Sequence, residues 1–316
     1  MASERYLVTG GAGFIGSSIA RRLLESGHSV TVLDNFSTGR RSNLADIIDD
    51  IELFEGDLRS YERVHNAVRG CDIVIHEGAL PSVPRSVQDP LTTSEVNVNG
   101  TLNVLLAARD NEVKRVVFAS SSSVYGANPA LPKTEDLLPQ PISPYGVSKL
   151  AAEQYCLAYM RVYGLETVPV RYFNVFGPGQ DPASQYSAVI PRFIRLALAG
   201  RRPFIFGDGM QVRDFTYIDN VVDATIAAAQ VPGAAGHIMN VACGQGIVLL
   251  DVVSAISEAL GVTIEPEFGE ARLGDVRESV ACVDAAREVL GYEPRVSFVE
   301  GVGRTARHIA KEEPGA

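Results

Sequence analysis

Apolar residues fall in short uninterrupted runs through the first half of the chain, and each run gives way to a longer stretch with helical spacing. The runs are RYLVTG (5–10), SVTVLD (29–34), IELFEGD (51–57), CDIVIH (71–76), KRVVFAS (114–120) and ETVPVRYFN (166–174). Helix patterns occupy SSIARRLLESG (17–27), residues 61–69 and 94–110, and a stretch opening at 144. Strands apolar on both faces that alternate with helices predict an α/β fold, a doubly wound parallel sheet covered on each side. From about residue 176 Pro and Gly become frequent and the elements shorten, as in FGPGQDP and GRRPFIFGDG. The pattern predicts a main domain over 1–175 with a return segment at 214–242. A smaller α/β substrate-binding lobe then comprises 176–213 and 243–310.

Composition narrows the field. Of 316 residues, 46% are hydrophobic and 21% charged, and the formal net charge is −10. An acidic chain is a poor partner for nucleic acid or an anionic membrane surface, so any phosphate must be met locally by helix N-termini and a few arginines. The four cysteines (Cys71, Cys156, Cys243, Cys282) form no CxxC pair, which fits reduced thiols and a cytoplasmic location rather than a disulfide or zinc framework. Five scattered histidines give no metal-binding pattern, and no metal is expected. No apolar run reaches membrane-spanning length.

The stretch TGGAGFIG (9–16) lies between the first strand and the first helix. Gly10, Gly13 and Gly16 let the backbone turn tightly and approach a pyrophosphate at a helix N-terminus, the Rossmann-type arrangement. The second strand ends in Asp34, placed to accept from an adenine-ribose diol. A carboxylate there repels a 2′-phosphate, which favours NAD over NADP; Arg40 and Arg41 are expected in a solvated loop. Asp57 and Leu58 end the third strand at the same edge and suit the adenine. Gly78, Ala79 and Leu80 follow the fourth, small enough at first to let a dinucleotide pass.

SPYGVSKLAAEQY (143–155) opens a helix, with Ser143 as N-cap and Pro144 as first helical residue. Tyr145 and Lys149 then share a face one turn apart. An ammonium about 4 Å from a phenol, at an effective dielectric of about 20, contributes about 4 kcal/mol, enough to lower the phenol's pKa by about 3. Together with the positive nicotinamide ring of an oxidised cofactor, that is expected to poise Tyr145 near neutrality as a general base. The strand before this helix ends in SSSSVYG (120–126), four hydroxyls with no acid among them.

Together, TGGAGFIG, Asp34, the serine cluster and YGVSK resemble the extended short-chain dehydrogenase/reductases, specifically the nucleotide-sugar epimerase/dehydratase group. VNVNGT (96–101), RYFNVFGPGQ (171–180), GDG (207–209) and RDFTYI (213–218) carry the resemblance through nearly the whole chain. It implies catalysis by Ser121, Tyr145 and Lys149, with Ser121 bonding the sugar's 4-hydroxyl and Lys149 also holding the nicotinamide ribose. It adds Phe14, Ile15, Asn35, Asn97 and Tyr172 to the cofactor set. On the substrate side it implies Ser82, Ser122, Ser123, Asn174, Ala188, Val189, Arg213, Arg272, Asp275 and Ser279. In the similar dehydratases the positions of Ser121-Ser122-Ser123 read Thr-Asp-Glu, whose acids eliminate water. Serines leave only reversible oxidation at C4, so the resemblance implies a UDP-sugar 4-epimerase with retained NAD. Ser279 and Ala188 are small where glucose/galactose-restricted epimerases carry tyrosine and asparagine, and SVPRS (82–86) resembles bacterial UDP-N-acetylglucosamine 4-epimerases. The implied reaction is interconversion of UDP-GlcNAc and UDP-GalNAc in a homodimer. Pro81 departs from the lysine or glycine of relatives. UDP-glucose or UDP-glucuronate as substrate, and a net 4-keto reductase, are the competing expectations.

Overall fold

In the computed structural model, residues 3–181, 189–271 and 276–312 are described. Seven parallel strands form the main sheet: β1 (Arg5–Thr9), β2 (Ser29–Asp34), β3 (Ile51–Glu55), β4 (Ile73–His76), β5 (Arg115–Ser121), β6 (Glu166–Tyr172) and β7 (Met239–Val241). Their order is β7-β6-β5-β4-β1-β2-β3, so the winding direction reverses between β1 and β4. That reversal opens a crevice at the carboxyl ends of the strands, where doubly wound sheets bind their ligands.

The helices α1 (Phe14–Glu25), α2 (Tyr61–Val68), α3 (Gly100–Asp110), α4 (Pro144–Tyr163) and α5 (Ile218–Gln230) cover the sheet. Two apolar layers result. One holds Val8, Ile19, Val32, Ile75, Val117 and Val221; the other holds Leu7, Val64, Val74, Val104, Val116 and Cys156. The strand interiors are apolar on both faces because both faces are covered, as the sequence pattern requires.

The observed bounds differ from the sequence expectation in informative ways. β3 ends at Glu55, so Asp57 and Leu58 lie in the turn after it. The third helix begins earlier than residue 94: a short helix Pro90–Ser94 passes through a π-helical turn, Glu95–Asn99, into α3. Short strands near the expected return segment pair outside the main sheet. Val212–Asp214 pairs with Gly246–Val248 and Glu278–Ser279 in a separate small sheet, and Thr216–Tyr217 pairs with Val175–Phe176. Only α5 and β7 rejoin the main sheet.

Two buried polar assemblies fix this architecture. Arg171 on β6 and Glu153 on α4 form a bidentate pair at 1% and 0% side-chain exposure, and Ser120 Oγ also donates to Glu153 at 2.8 Å. The first serine of the cluster thus ties β5 to α4. Arg115, at the start of β5, donates to the carbonyls of Ala228, Ala229 and Val231, closing the open C-terminal end of α5.

Candidate active site

The glycine turn is built as a phosphate cradle. Gly10 has φ +66°, and a Cβ there would lie 2.7 Å from Gly78 Cα; at Gly16 a Cβ would lie 2.3 Å from Gly10 O. Side chains at either position would force apart the β1 turn and its neighbours. Gly13 is the N-cap of α1 and supplies no side chain, so no capping group covers the first amides of the helix, which begins at Phe14 and Ile15.

Beside it, a cleft is lined by Gly10, Asp34, Asn35, Asp57, Leu58, Gly78, Ala79 and Leu80. Asp34 is buried, and burial raises its pKa. Its two oxygens accept from Ala12 N–H (2.9 Å) and Phe36 N–H (2.8 Å), leaving lone pairs for a diol. Asp57 is held by Arg59 (2.8 Å) and Asn35 (3.0 Å), and Arg59's hydrogen bonds pull its pKa to about 2. Arg40 and Arg41 are exposed but paired, with Asp181 and Glu55 respectively. Glycine turn, uncovered helix amides and ribose-facing carboxylate fit an NAD dinucleotide.

The amide of Asn97 is fully engaged inside the protein. Its Oδ1 accepts from Leu80 N–H (2.8 Å), and its Nδ2 donates to Leu80 O and to Ser148 Oγ (3.0 Å). Asn97 sits in the π-helical turn and thereby clamps the cofactor-side loop to α4. His76 is equally committed. Thr101 Oγ1 donates to Asn97 O, so it must accept from His76 Nε2–H (3.0 Å), and His76 Nδ1 accepts from Thr9 Oγ1 (2.6 Å). Burial lowers the His76 pKa to about 3, keeping the ring neutral.

At the catalytic end, Ser143 caps α4 through Gly146 N–H (3.1 Å), as the sequence predicts. Ser86, which sequence reasoning missed, accepts from Tyr145 N–H (3.0 Å) and docks the helix Val83–Gln88 on the same cap. Its only signal was a second serine in SVPRS. Ser82 caps that short helix through Arg85 N–H, and Pro81 precedes it, exposed. Ser121 ends β5, its Oγ accepts from Ser123 N–H (3.1 Å), and its hydroxyl is close enough to Tyr145 to lower that phenol's pKa. Ser122 and Ser123 form a half-buried 3₁₀ turn beside it.

The electrostatics correct one sequence expectation. Tyr145 is not pulled toward neutrality by the protein alone: burial raises its pKa to about 12, against a smaller lowering from Ser121. Lys149 Nζ donates instead to Ala119 O at 2.7 Å and stands 5.0 Å from the centre of the Phe118 ring. Burial lowers the Lys149 pKa to about 8. The simple four-apart estimate omitted the desolvation of both groups, which is the largest influence on each.

Substrate-side residues divide. Arg213 and Ser279 are register partners in the small sheet, both half-buried. Asn174, at φ 33°, donates to Asp214 O (2.8 Å). Val189 opens the helix Val189–Leu198. Ala188, Arg272 and Asp275 lie outside the described residues. Asp214, also missed by sequence reasoning, is wholly buried and accepts from Cys243 and Ala281 N–H, pinning two loops of the small sheet. Among the described residues no group of His, Cys, Asp and Glu is arranged to hold a metal ion.

Residues 6–242 match the NAD dependent epimerase/dehydratase family. This chain belongs to that family. Its cofactor is NAD, and it is an NAD-dependent enzyme of that family. A UDP-glucose 4-epimerase of Mycolicibacterium smegmatis is 41% identical over 95% of this chain and 97% of its own length. The UDP-glucose 4-epimerase of Thermus thermophilus in complex with NAD is 39% identical, with a TM-score of 0.88 over 96% of this chain and 98% of its own. The UDP-N-acetylglucosamine 4-epimerase of Methanobrevibacter ruminantium, in complex with UDP-N-acetylmuramic acid, is 36% identical. Its TM-score is 0.94 over 99% of this chain and all of its own.

Proposed function

We propose that this enzyme is a UDP-sugar 4-epimerase that interconverts UDP-GlcNAc and UDP-GalNAc. The observation that carries the reading is the run Ser121-Ser122-Ser123 at the end of β5, where Ser121 is the neighbour that lowers the Tyr145 pKa and no carboxylate stands to drive elimination. The glycine turn and Asp34 would hold NAD, which when bound would supply a hydride acceptor for C4 and a positive ring that favours ionisation of the tyrosine. Tyr145 removes the C4 hydroxyl proton at its phenol oxygen and later restores it. Ser121 holds the sugar oxygen in line with that proton transfer. Lys149, fixed through Ala119 O, supplies the positive potential that favours the phenolate.

Asp34, with Arg40 and Arg41 both paired to acids, supports NAD over NADP. The small, half-buried Ser279 beside Arg213 supports a pocket that admits a 2-acetamido group, as does the likeness to a UDP-N-acetylglucosamine 4-epimerase. The second reading, UDP-glucose as substrate, is favoured by the relative named for it at 41% identity. Parallel assays with UDP-GlcNAc, UDP-glucose and UDP-glucuronate test the choice: preferred turnover of UDP-glucose would overturn the reading of Ser279.

The reading includes a homodimer, supported by exposed apolar Val87, Leu91, Val147 and Tyr155 on and near α4. It also places the enzyme in the cytoplasm, supported by four free cysteines. No helix among the described residues is long and apolar enough to cross a membrane. We also read 1–175 with 214–242 as the cofactor domain, and 176–213 with 243–310 as the substrate lobe.

A further inference from the structure

Glu77 is a fourth titratable group in this centre, and neither the glycine turn nor the YxxxK pair accounts for it. It follows β4, immediately before Gly78 and Ala79, and its N–H donates to Thr9 O at 3.2 Å. Its Oε1 lies 2.7 Å from the Tyr172 hydroxyl oxygen, which lies 2.8 Å from Thr225 Oγ1, which in turn lies 2.7 Å from Val221 O.

Proton counting along this chain is informative. Three contacts need three protons. Val221 O can only accept, so the Thr225 proton goes there; the Tyr172 proton then goes to Thr225. The remaining contact is filled only when Glu77 carries a proton and donates it to Tyr172. With Glu77 ionised, Tyr172 must donate to the carboxylate, and one of the other two contacts is lost. The complete relay therefore belongs to the neutral acid.

The surroundings give that choice a consequence. Facing Glu77 are Tyr172 from β6, Tyr145 and Lys149 from α4, and the uncharged Thr225 from α5; adjacent His76 on β4 is neutral. Lys149 attracts the ionised form, whereas Tyr145 is disfavoured as phenolate by it. Glu77 and Tyr145 thus oppose each other as anions. Burial raises the Glu77 pKa to about 7, within the working range of such an enzyme.

We propose that Glu77 is a positioning residue: neutral when the Tyr172–Thr225 relay is complete, it spares the Tyr145 phenolate a facing negative charge, and its ionisation opposes that phenolate. The proposal rests on Tyr145 as the acid–base group of the proposed reaction.

The test uses the NAD-loaded enzyme and Glu77→Gln, whose amide still donates to Tyr172. Below about pH 7, where wild-type Glu77 is also neutral, the two enzymes are expected to coincide in log kcat. Above it, where wild-type Glu77 ionises, the limb of Glu77→Gln is expected to lie up to about one unit lower, making the variant up to about tenfold faster there. Ultraviolet titration of the tyrosinate, taken as a difference against Tyr145→Phe, is expected to show Tyr145 ionising at lower pH in Glu77→Gln. This second readout needs no substrate. A shifted titration without epimerase activity would support Glu77 while sinking the functional reading. An unmoved titration and limb, with kcat lowered equally at every pH, would reduce Glu77 to packing and overturn the proposal.

Discussion

Tyr145 is the acid–base group of the proposed reaction, and its environment explains why it would idle without help. Burial holds the phenol up to about 12 while Lys149 is spent partly on Ala119 O. Replacing Tyr145 with Phe removes the proton acceptor but little volume. The expected result is a loss of kcat of at least about 10³-fold with NAD content and melting temperature unchanged, measured on the holoenzyme. Retention of a tenth of the rate would move the acid–base role elsewhere. The position of Tyr145 was legible because four-residue spacing fixes a helix face. Its titration was not, because desolvation depends on what the chain packs around the phenol, and Ser121 at the end of β5 and Glu77 after β4 are distant in sequence. Ser120 shows the same limit: in sequence it is one of four like serines, but only the fold sets it against Glu153.

Among the elements, the strand–helix alternation was readable because burial on both faces leaves continuous apolar runs. The π-helical turn was not. It is stabilised by what Asn97 grips, Leu80 and Ser148, which lie far away in sequence. Strands of two or three residues such as Thr216–Tyr217 carry too little pattern to read. The Arg171–Glu153 pair joins β6 to α4 in full burial, and removing one member strands the other's charge. Glu153→Gln is expected to destabilise by about 3–5 kcal/mol in urea unfolding. A change within about 0.5 kcal/mol would show that water reaches Arg171 after all.

For the whole molecule, acid sensitivity has an identifiable source. His76 titrates near 6.5 when unfolded and about 3 when folded. The unfolded state therefore binds the extra proton between these values, and stability is lost as pH falls from about 6.5 toward 3. Unfolding curves for His76→Gln are expected to fall less steeply with pH over that window than those of wild type; equal slopes would mean that His76 is not the group. Assembly is testable as directly. Leu91→Glu places a charge on an exposed apolar position, 77% accessible in the single chain. It is expected to shift a dimer to monomer in sedimentation, and an unchanged sedimentation coefficient would place the interface elsewhere.

Reversible C4 oxidation with a retained cofactor is the claim on which the functional reading depends. The direct measurement is incubation of the purified enzyme with UDP-GlcNAc and no added NAD, with products resolved by chromatography. The account predicts UDP-GalNAc rising to a plateau without net NADH formation. No conversion of UDP-GlcNAc, UDP-glucose or UDP-glucuronate, even with NAD supplied, would contradict it.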